Sequence, residues 1–318
     1  MSDPRIHIAE LAYTAYQVTD LDLMERFLVD FGMKRSARTD DTLYMRGTGG
    51  AHHIHVARLG ETNRFLGGAF RVETRDDLVK AAKLPGASAI TPITEPGGGE
   101  RVTLTTPGGQ TLWLEFGAET LPELPTRRIY PLNFHGSHLR PNRPVRQKKE
   151  ITPILRIGHY VLRVKDAPAE VTWFKTHFNV VASDYICGRH GKPGHPETTA
   201  GTFMRLDRGQ EFVDHHIILI NQSHLEGCHH SSYEVLDLDA VTTGHYHLVA
   251  QGWQLDAGYG RHYLGSLIYD YWLDPFGNRV EHYTDTDLVN DDYEPVYFTG
   301  GAEDTTQWGM APPPSFFD

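Results

Sequence analysis

An internal repeat limits the fold of this chain more than any other sequence feature. In each half, a short strand-like segment ending at Val18 or Val164 leads through an acidic turn into a stretch with apolar residues at helical spacing. Three further pairs of segments match in the same order: 51–56 with 214–219, 70–78 with 233–240, and 106–109 with 274–277. The order strand, helix, strand, strand, strand, present twice, predicts an α+β fold built from two similar halves.

Length and composition leave room for two domains. Hydrophobic residues make up 39% and charged residues 22% of the 318 positions, which is typical of a globular chain with a sizeable core. We predict domains at 1–118 and 151–285, an interdomain linker with five prolines and a basic cluster at 119–150, and a tail at 286–318. The tail is too proline-rich for a strand or helix, and its aromatic residues predict that it packs over the functional site as a lid.

Charge and apolar patterning exclude several partners. The net charge of −11 argues against broad nucleic-acid binding and against an anionic membrane surface. The chain has no run of about 18 apolar residues, and its start resembles no signal peptide, so no membrane partner is expected. Cys187 and Cys228 cannot form a disulfide framework, which favours a reducing, cytoplasmic location.

The chain has 19 histidines, and the repeat indicates which of them carry chemistry. When the halves are aligned on their matching valines and turns, three positions have a metal-binding side chain in the second half only. These are His159, His230 and Glu281, which stand opposite Tyr13, Gly67 and Trp113. Two imidazoles and one carboxylate form the facial triad of non-haem Fe(II) oxygenases. The alternative is three unrelated polar residues in strands, but chance rarely places three ligand types at matching positions of one half.

A longer motif surrounds the carboxylate candidate. His262 is followed by Tyr271 nine residues on, by an acidic-Pro-x-Gly turn at 274–277, and by Glu281 nineteen residues after the histidine. This order resembles the signature of the type I extradiol ring-cleavage dioxygenases, which belong to the vicinal oxygen chelate superfamily. The segments 157–159 and 228–230 resemble the strands that supply the first two metal ligands of that family.

The resemblance implies a fold and a metal. The implied fold is α+β, with four βαβββ modules that form two similar barrel-like domains, of which only the domain at 151–285 binds metal. His159, His230 and Glu281 would hold Fe(II), and some relatives use Mn(II) at the same ligands.

The resemblance also implies roles for three further residues. His216 matches the acid/base histidine of the family, which takes a proton from the catechol and later returns one. His262 and Tyr271 would hydrogen-bond oxygens of the substrate and the intermediate. A structural role for His216 stays open, because His53 occupies the equivalent place in the first half. Strand alternation is expected to direct the residues just before two of these site histidines away from the site: His215 and His229.

The implied reaction is extradiol cleavage of a catechol with insertion of both atoms of O₂, as in the degradation of aromatic compounds. Family members that cleave arylacetates have an arginine five residues before the signature histidine, where this chain has Ala257. A ring carboxylate would then lack a bidentate partner, so we expect an alkyl- or aryl-substituted catechol. A cation supplied by a loop stays open, with three candidates: Arg189, Arg205 and Arg208.

Two other functions stay open within the same superfamily. Metal-dependent isomerases and thiol transferases use the same modules. Their sites are usually richer in carboxylates and lack the set formed here by His216, His262 and Tyr271. Ligand-sequestering proteins use the modules without metal. The expected partners are a catechol and O₂, and the tendency of the family is towards homo-oligomers.

Overall fold

The structure of the chain, a computed structural model, describes residues 3–310 and 312–316. It contains four βαβββ modules in sequence, two in each half. The first two modules form one sheet, and the last two form another. The predicted α+β architecture is therefore confirmed. The last two residues of the predicted lid, Phe317 and Asp318, lie outside the described residues.

Eight strands form the sheet of the first half. They are β1 (Ile8–Val18), β2 (Lys34–Arg38), β3 (Thr42–Arg46), β4 (His55–Leu59), β5 (Arg64–Val72), β6 (Thr91–Pro92), β7 (Glu100–Thr105) and β8 (Thr111–Phe116). Their spatial order is β2-β3-β4-β1-β5-β8-β7-β6. The first strands of the two modules, β1 and β5, pair in antiparallel orientation at the centre of the sheet.

The sheet of the second half has the same core arrangement. Its strands are β9 (Ile157–Val164), β10 (Val180–Ile186), β11 (Gly201–Leu206), β13 (Ile218–Gln222), β14 (Gly227–Glu234), β15 (Gln254–His262), β16 (Ile268–Leu273), β17 (Arg279–Thr284), β19 (Val296–Phe298) and β20 (Thr306–Gly309). Two short strands, β12 (Val213–Asp214) and β18 (Leu288–Val289), pair separately. The spatial order is β19-β10-β11-β13-β9-β14-β17-β16-β15-β20, again with the two module-opening strands, β9 and β14, adjacent.

Each helix begins at the polar turn that the sequence marks. The helices are α1 (Leu21–Asp30), α2 (Arg75–Ala81), α3 (Ala167–His177) and α4 (Leu238–Gln251). Their N-cap side chains each accept a hydrogen bond from a backbone N–H of the first turn: Asp20, Thr74, Asp166 and Asp237. A helix start otherwise leaves these donors unsatisfied, so the caps fix where each helix begins. None of the helices in the described part of the chain is long and apolar enough to cross a membrane.

The two halves share one hydrophobic core. The ring of Tyr160 in the second half packs against Phe70 of the first half, with ring centroids 5.9 Å apart. Asn179 is 1% exposed, and its side-chain amide bonds both the backbone N–H and the backbone carbonyl of Ile8. Apolar packing and buried hydrogen bonds both join the two halves, so the first half stabilises the position of the second sheet.

The tail differs from its prediction. The sequence predicts no strand after 285, yet β19 pairs with β10 and β20 pairs with β15. That prediction is wrong because the prolines flank these strands: Pro295 precedes β19, and the prolines at 312–314 follow β20. The tail is therefore hydrogen-bonded to both edges of the second sheet.

Candidate metal centre and active site

Three adjacent strands place the ligand candidates on one face of the second sheet. His159 of β9 pairs with Ser232 of β14, and Ser232 pairs with Glu281 of β17. His230 lies two residues before Ser232 on β14. Since side chains alternate along a strand, His230 projects from the same face as this row.

The three side chains meet at a buried point. Their ligand atoms all lie within 4.8 Å of one another, and Nε2 of His159 is 3.2 Å from Oε2 of Glu281. Nε2 of His230 is 3.5 Å from the same oxygen. Glu281 is fully buried, and neither of its carboxylate oxygens accepts a hydrogen bond. A buried carboxylate without a donor is costly, and a cation between it and two imidazoles removes that cost. This donor set fits Fe(II) or Mn(II).

Burial keeps the imidazoles of His230 and His262 neutral. It lowers the pKa of His230 well below the usual value, and the neighbouring His229 adds to the effect. Burial also lowers the pKa of His262 to about 4. A neutral imidazole can offer a lone pair to a metal, whereas a protonated one cannot, so the protonation state suits the ligand role of His230.

His262 and Tyr271 lie beside the Glu281 carboxylate. Nε2 of His262 is 2.8 Å from the hydroxyl of Tyr271 and 3.8 Å from Oε1 of Glu281. Burial, followed by the charge of Glu281, raises the pKa of Tyr271 well above its usual value. Tyr271 therefore keeps its proton and can donate it in a hydrogen bond to an oxygen bound in the cavity.

His216 faces the first ligand candidate and belongs to a buried chain of hydrogen bonds. Its ring centroid is 4.1 Å from that of His159. Nδ1 of His216 is 3.0 Å from Nδ1 of His215, and Nε2 of His215 is 2.8 Å from Oδ2 of Asp184. Because a carboxylate only accepts, His215 donates from Nε2 and accepts from His216 at Nδ1. This order leaves a lone pair on Nε2 of His216, as a general base requires.

Asp184 is a residue that the sequence analysis missed. It lies on β10 and is 1% exposed. Besides His215, it accepts hydrogen bonds from the hydroxyl of Tyr293 and from the backbone N–H of Val296. The carboxylate therefore connects the predicted acid/base histidine to the tail. No motif or spacing in the sequence links residues 184 and 215.

One histidine points differently from its prediction. His215 turns to Asp184, but His229 lines the cavity together with His230. The expectation that His229 points away is wrong because the ladder between β14 and β9 shifts register between Cys228 and His230, which interrupts strand alternation. Nε2 of His229 lies 2.6 Å from the backbone carbonyl oxygen of Phe316, so this residue contacts the tail.

The site opens into a cavity of about 700 Å³. Side chains of seven strands of the second sheet line it, and so do residues 298–303, Thr305 and Phe316 of the tail. The Phe316 ring lies 4.8 Å from the ring of Tyr271. The large apolar side chains of the wall are Val161, Ile186, Phe203, Leu219, Leu264, Leu267, Phe298 and Phe316. This volume suits one aromatic ring with a substituent.

The cations around the cavity differ from the predicted set. Arg205 is buried outside the cavity wall and donates to two backbone carbonyls and a serine hydroxyl. Arg208 pairs with Glu73 of the first half. Arg189 lines the cavity, and so does Arg163, which the sequence analysis did not single out. Strand alternation could have predicted this position. Arg163 lies four residues after His159 on β9, so both side chains project from the same face.

Comparisons with known proteins agree with this architecture. Residues 156–282 match the family model of the glyoxalase/bleomycin resistance protein/dioxygenase superfamily. Metapyrocatechase 2 of Cupriavidus necator is 26% identical over 321 residues, an alignment that covers 98% of this chain and 92% of the relative.

Solved structures share the fold over almost the whole chain. Homoprotocatechuate 2,3-dioxygenase from Brevibacterium fuscum, in complex with 3,4-dihydroxyphenylacetate, superposes with a TM-score of 0.80 and 20% identity, covering 100% of this chain and 93% of that one. The Mn(II)-bound glyoxalase from Novosphingobium aromaticivorans gives a TM-score of 0.79 and 21% identity, covering 98% and 94%. Both likenesses extend over both halves of the chain.

Proposed function

We propose that this chain is an extradiol catechol dioxygenase of the glyoxalase/bleomycin resistance protein/dioxygenase superfamily, whose family model matches residues 156–282. It opens a catechol ring beside the two hydroxyls and inserts both atoms of O₂. The observation that carries the proposal is the buried Glu281 carboxylate, which has no hydrogen-bond donor and faces two imidazole nitrogens. The likeness to a metapyrocatechase over 98% of the chain supports the same activity.

The metal ligands in this proposal are His159, His230 and Glu281. Fe(II) or Mn(II) held there supplies the Lewis acidity and the electron transfer that allow a catechol to react with O₂. The three side chains come from one face of the sheet, so substrate and O₂ would approach them from the cavity. The apolar walls of the cavity exclude water from this side.

The other site residues would move and orient protons. His216 takes a hydroxyl proton of the catechol at Nε2, because its Nδ1 is committed to His215. The same nitrogen later returns a proton to oxygen as the ring opens. Tyr271 and His262, 2.8 Å apart, hydrogen-bond the oxygens beside the carboxylate ligand. The positions and hydrogen bonds of these residues support the proposed roles.

We further propose that the substrate carries an apolar substituent. Eight large apolar side chains line the cavity. Ala257, at the position where arylacetate-cleaving relatives have arginine, is 3% exposed and offers no charge. A ring carboxylate would have to reach Arg163, whose guanidinium lies 3.4 Å from a backbone carbonyl oxygen, or Arg189 at the edge of the cavity.

An isomerase or thiol transferase is the second candidate, since a glyoxalase shares the fold. The residues around the metal ligands favour the dioxygenase. An isomerase site of the carboxylate-rich kind needs a further acidic ligand, and Glu281 is the only carboxylate in the three-ligand group found among residues 3–310 and 312–316. His216, His262 and Tyr271 instead supply a base and hydrogen-bond donors for two adjacent oxygens.

Four further parts of the proposal concern the whole molecule. Residues 1–118 form a structural domain without metal, 119–150 a linker, and 151–285 the catalytic domain. The tail at 286–318 acts as a lid, which its contacts with the cavity support. The protein forms a homo-oligomer. It works in the cytoplasm, in keeping with its two free cysteines, Cys187 and Cys228.

The decisive experiment combines metal analysis with a coloured product. We expect one iron or manganese per chain and, on addition of catechol under air, consumption of O₂ with a new yellow absorbance. Metal binding without O₂ uptake would favour the isomerase candidate. Tight catechol binding with neither metal nor O₂ uptake would favour a sequestering protein.

A further inference from the structure

The segment between the two halves exposes more apolar surface than a linker needs. We call residues 127–149 the arm. Every residue from 128 to 139 is exposed. Five of the sixteen large apolar side chains that are exposed in the described chain fall within eleven consecutive positions of it: Ile129 (64%), Tyr130 (40%), Leu132 (53%), Phe134 (58%) and Leu139 (54%). Exposed apolar clusters of this density mark interaction surfaces.

The arm is locally ordered, so its apolar side chains are held in place before any partner binds. Phe134 and Ser137 exchange two backbone hydrogen bonds of 2.8 and 3.0 Å around a turn in which Gly136 has φ 78°. Arg140 donates from its backbone to the side chain of Asn133 and from its guanidinium to the carbonyl of Pro131. These bonds close the tip of the arm into a hairpin-like turn. A pre-ordered surface loses less conformational entropy on binding.

Both ends of the arm are attached to helix α4. Arg127 donates two hydrogen bonds to Asp237, the N-cap of that helix. The Lys149 ammonium lies 4.2 Å from the ring centroid of Tyr246, itself 45% exposed. The arm therefore projects from a fixed base on α4, a helix that itself exposes three apolar side chains: Leu238, Tyr246 and Val249.

The charge of the arm identifies its partner. The arm has seven basic and no acidic side chains, whereas the remaining 295 residues have 23 basic and 41 acidic ones, a net charge of −18. The strongest complement is the first part of the tail, 285–304, with seven acidic and no basic side chains. The tail segment 288–310 also exposes apolar side chains: Leu288, Val296, Trp308 and Met310. No hydrogen bond or ion pair joins the arm to the described tail residues 285–310.

We infer that the arm docks onto the tail of a second copy of this chain. Apolar side chains of the arm tip would be buried against the tail, and the flanking arginines and lysines would face its carboxylates. Because the tail lines the active-site cavity, the partner's arm would hold the cavity wall from outside. This inference specifies the surface of the self-association proposed above and does not depend on the ring-cleavage chemistry.

The first test measures mass in solution by analytical ultracentrifugation of the full chain. The wild type should sediment as a multiple of 35.9 kDa at micromolar concentration, and the triple variant I129S/L132S/F134S should sediment as a single chain. The matched control L59S/F212S/L225S removes equally exposed apolar side chains elsewhere and should leave the assembly intact. A monomeric wild type, or an assembly unchanged by the arm variant, would overturn the inference.

A charge-reversal variant tests the same interface independently, in case the apolar variant does not fold. Arg143→Glu with Arg146→Glu lies on the exposed surface and should weaken assembly at least tenfold in dissociation constant, whereas Lys34→Glu with Lys83→Glu should not. Equal effects of the two pairs would contradict the role of the arm. Retained catechol turnover in a monomeric arm variant would separate this result from the proposed chemistry.

Cross-linking identifies the docking site. A zero-length carbodiimide joins lysine to carboxylate, so Lys148 and Lys149 should link to acidic residues in 285–304. In a mixture of ¹⁴N- and ¹⁵N-labelled protein, these links must join chains of different label. Links confined to one chain, or to another surface of the second chain, would refute the assignment. Binding of a labelled DNA duplex by a monomeric wild type would show instead that the basic arm serves a nucleic acid.

Discussion

The two halves of the molecule pair corresponding strand residues in the same way, but only the first half supplies hydrogen-bond donors to its buried carboxylate. In the first half, Tyr13 pairs with Ala69 and Ala69 with Trp113, in the same ladders that hold His159, Ser232 and Glu281 in the second. Tyr13 of the first-half row lines a cavity of about 10 Å³, whereas His159 of the second-half row lines one of about 700 Å³. The fold therefore forms with or without a metal site.

The carboxylate of the first half has protein donors. Glu115 is 3% exposed, accepts a hydrogen bond of 2.7 Å from the hydroxyl of Tyr13, and pairs with Arg101 at 2.8 Å. Glu281 has no such donor. The fold can thus supply side-chain donors to a buried carboxylate, as it does for Glu115. Their absence at Glu281 indicates that the partner of this carboxylate is a bound ligand of the site.

The first half also has no room for the second ligand. Gly67 stands where the second half has His230, with φ 153°, and a Cβ there would lie 2.6 Å from the carbonyl oxygen of Thr111. A side chain at this position would strain the backbone and clash. The backbone of the first half therefore excludes a side chain at the position that corresponds to His230.

The largest predicted effect is a difference in metal binding between variants of Glu281 and of Glu115. Glu281→Ala should remove most of the metal and abolish turnover, because a three-ligand site does not retain its ion after losing one ligand. His159→Ala and His230→Ala should do the same. Glu115→Ala should keep the metal but lose about 1–3 kcal/mol of stability, since the Tyr13 hydroxyl and Arg101 lose a buried acceptor while Arg101 keeps its ion pair with Glu95. Metal analysis and urea unfolding measure both, and full iron in any ligand variant would remove that residue from the site.

The next effect separates the two matching histidines. His216→Phe should leave the metal bound and slow turnover about 10²–10⁴-fold, the usual contribution of a positioned acid/base. Part of the O₂ should then appear as peroxide. His53→Phe changes the equivalent first-half residue and should alter neither turnover nor metal content. Loss of metal in His216→Phe would make His216 a ligand and would require a different triad.

The ligand candidates could be found from the sequence because strand pairing preserves the repeat. Comparing the halves position by position selects His159, His230 and Glu281, and the structure brings these three side chains together. The acidic turns likewise predict the helix starts, because an N-cap acts within three residues. Features that depend on neighbouring residues along the chain are the ones that the sequence predicts well.

Features that depend on long-range packing could not be predicted. The β14 register shift that turns His229 into the cavity has no sequence signature, since an alternating pattern looks the same with and without a bulge. Asp184 and His215 form a hydrogen bond although they are 31 residues apart in the sequence. The tail strands depend on free edges of the second sheet, which exist only after that sheet has formed.

The cavity that distinguishes the halves should also set substrate preference. Each CH₂ buried against its apolar wall contributes about 0.8 kcal/mol, so kcat/KM should rise roughly fourfold per methylene from catechol to short alkylcatechols. Dihydroxybenzoate and dihydroxyphenylacetate should react at least about tenfold more slowly than catechol, because a poorly paired buried carboxylate costs several kcal/mol. Steady-state kinetics on this series decides the matter. A carboxylated catechol as best substrate would point to Arg163 or Arg189 as its partner.

The smallest effect concerns stability without metal. In metal-free protein the Glu281 carboxylate lacks a donor, so Glu281→Gln should raise the free energy of unfolding by roughly 1–3 kcal/mol at pH 7. Added Mn(II) should reverse the order, because only the wild type gains the free energy of metal binding. Glu115→Gln should be destabilising with and without metal, since it weakens the ion pair with Arg101. Urea unfolding with chelator and with Mn(II) tests all three proteins. Equal behaviour of the two glutamine variants would show that the halves do not differ in how they stabilise a buried carboxylate.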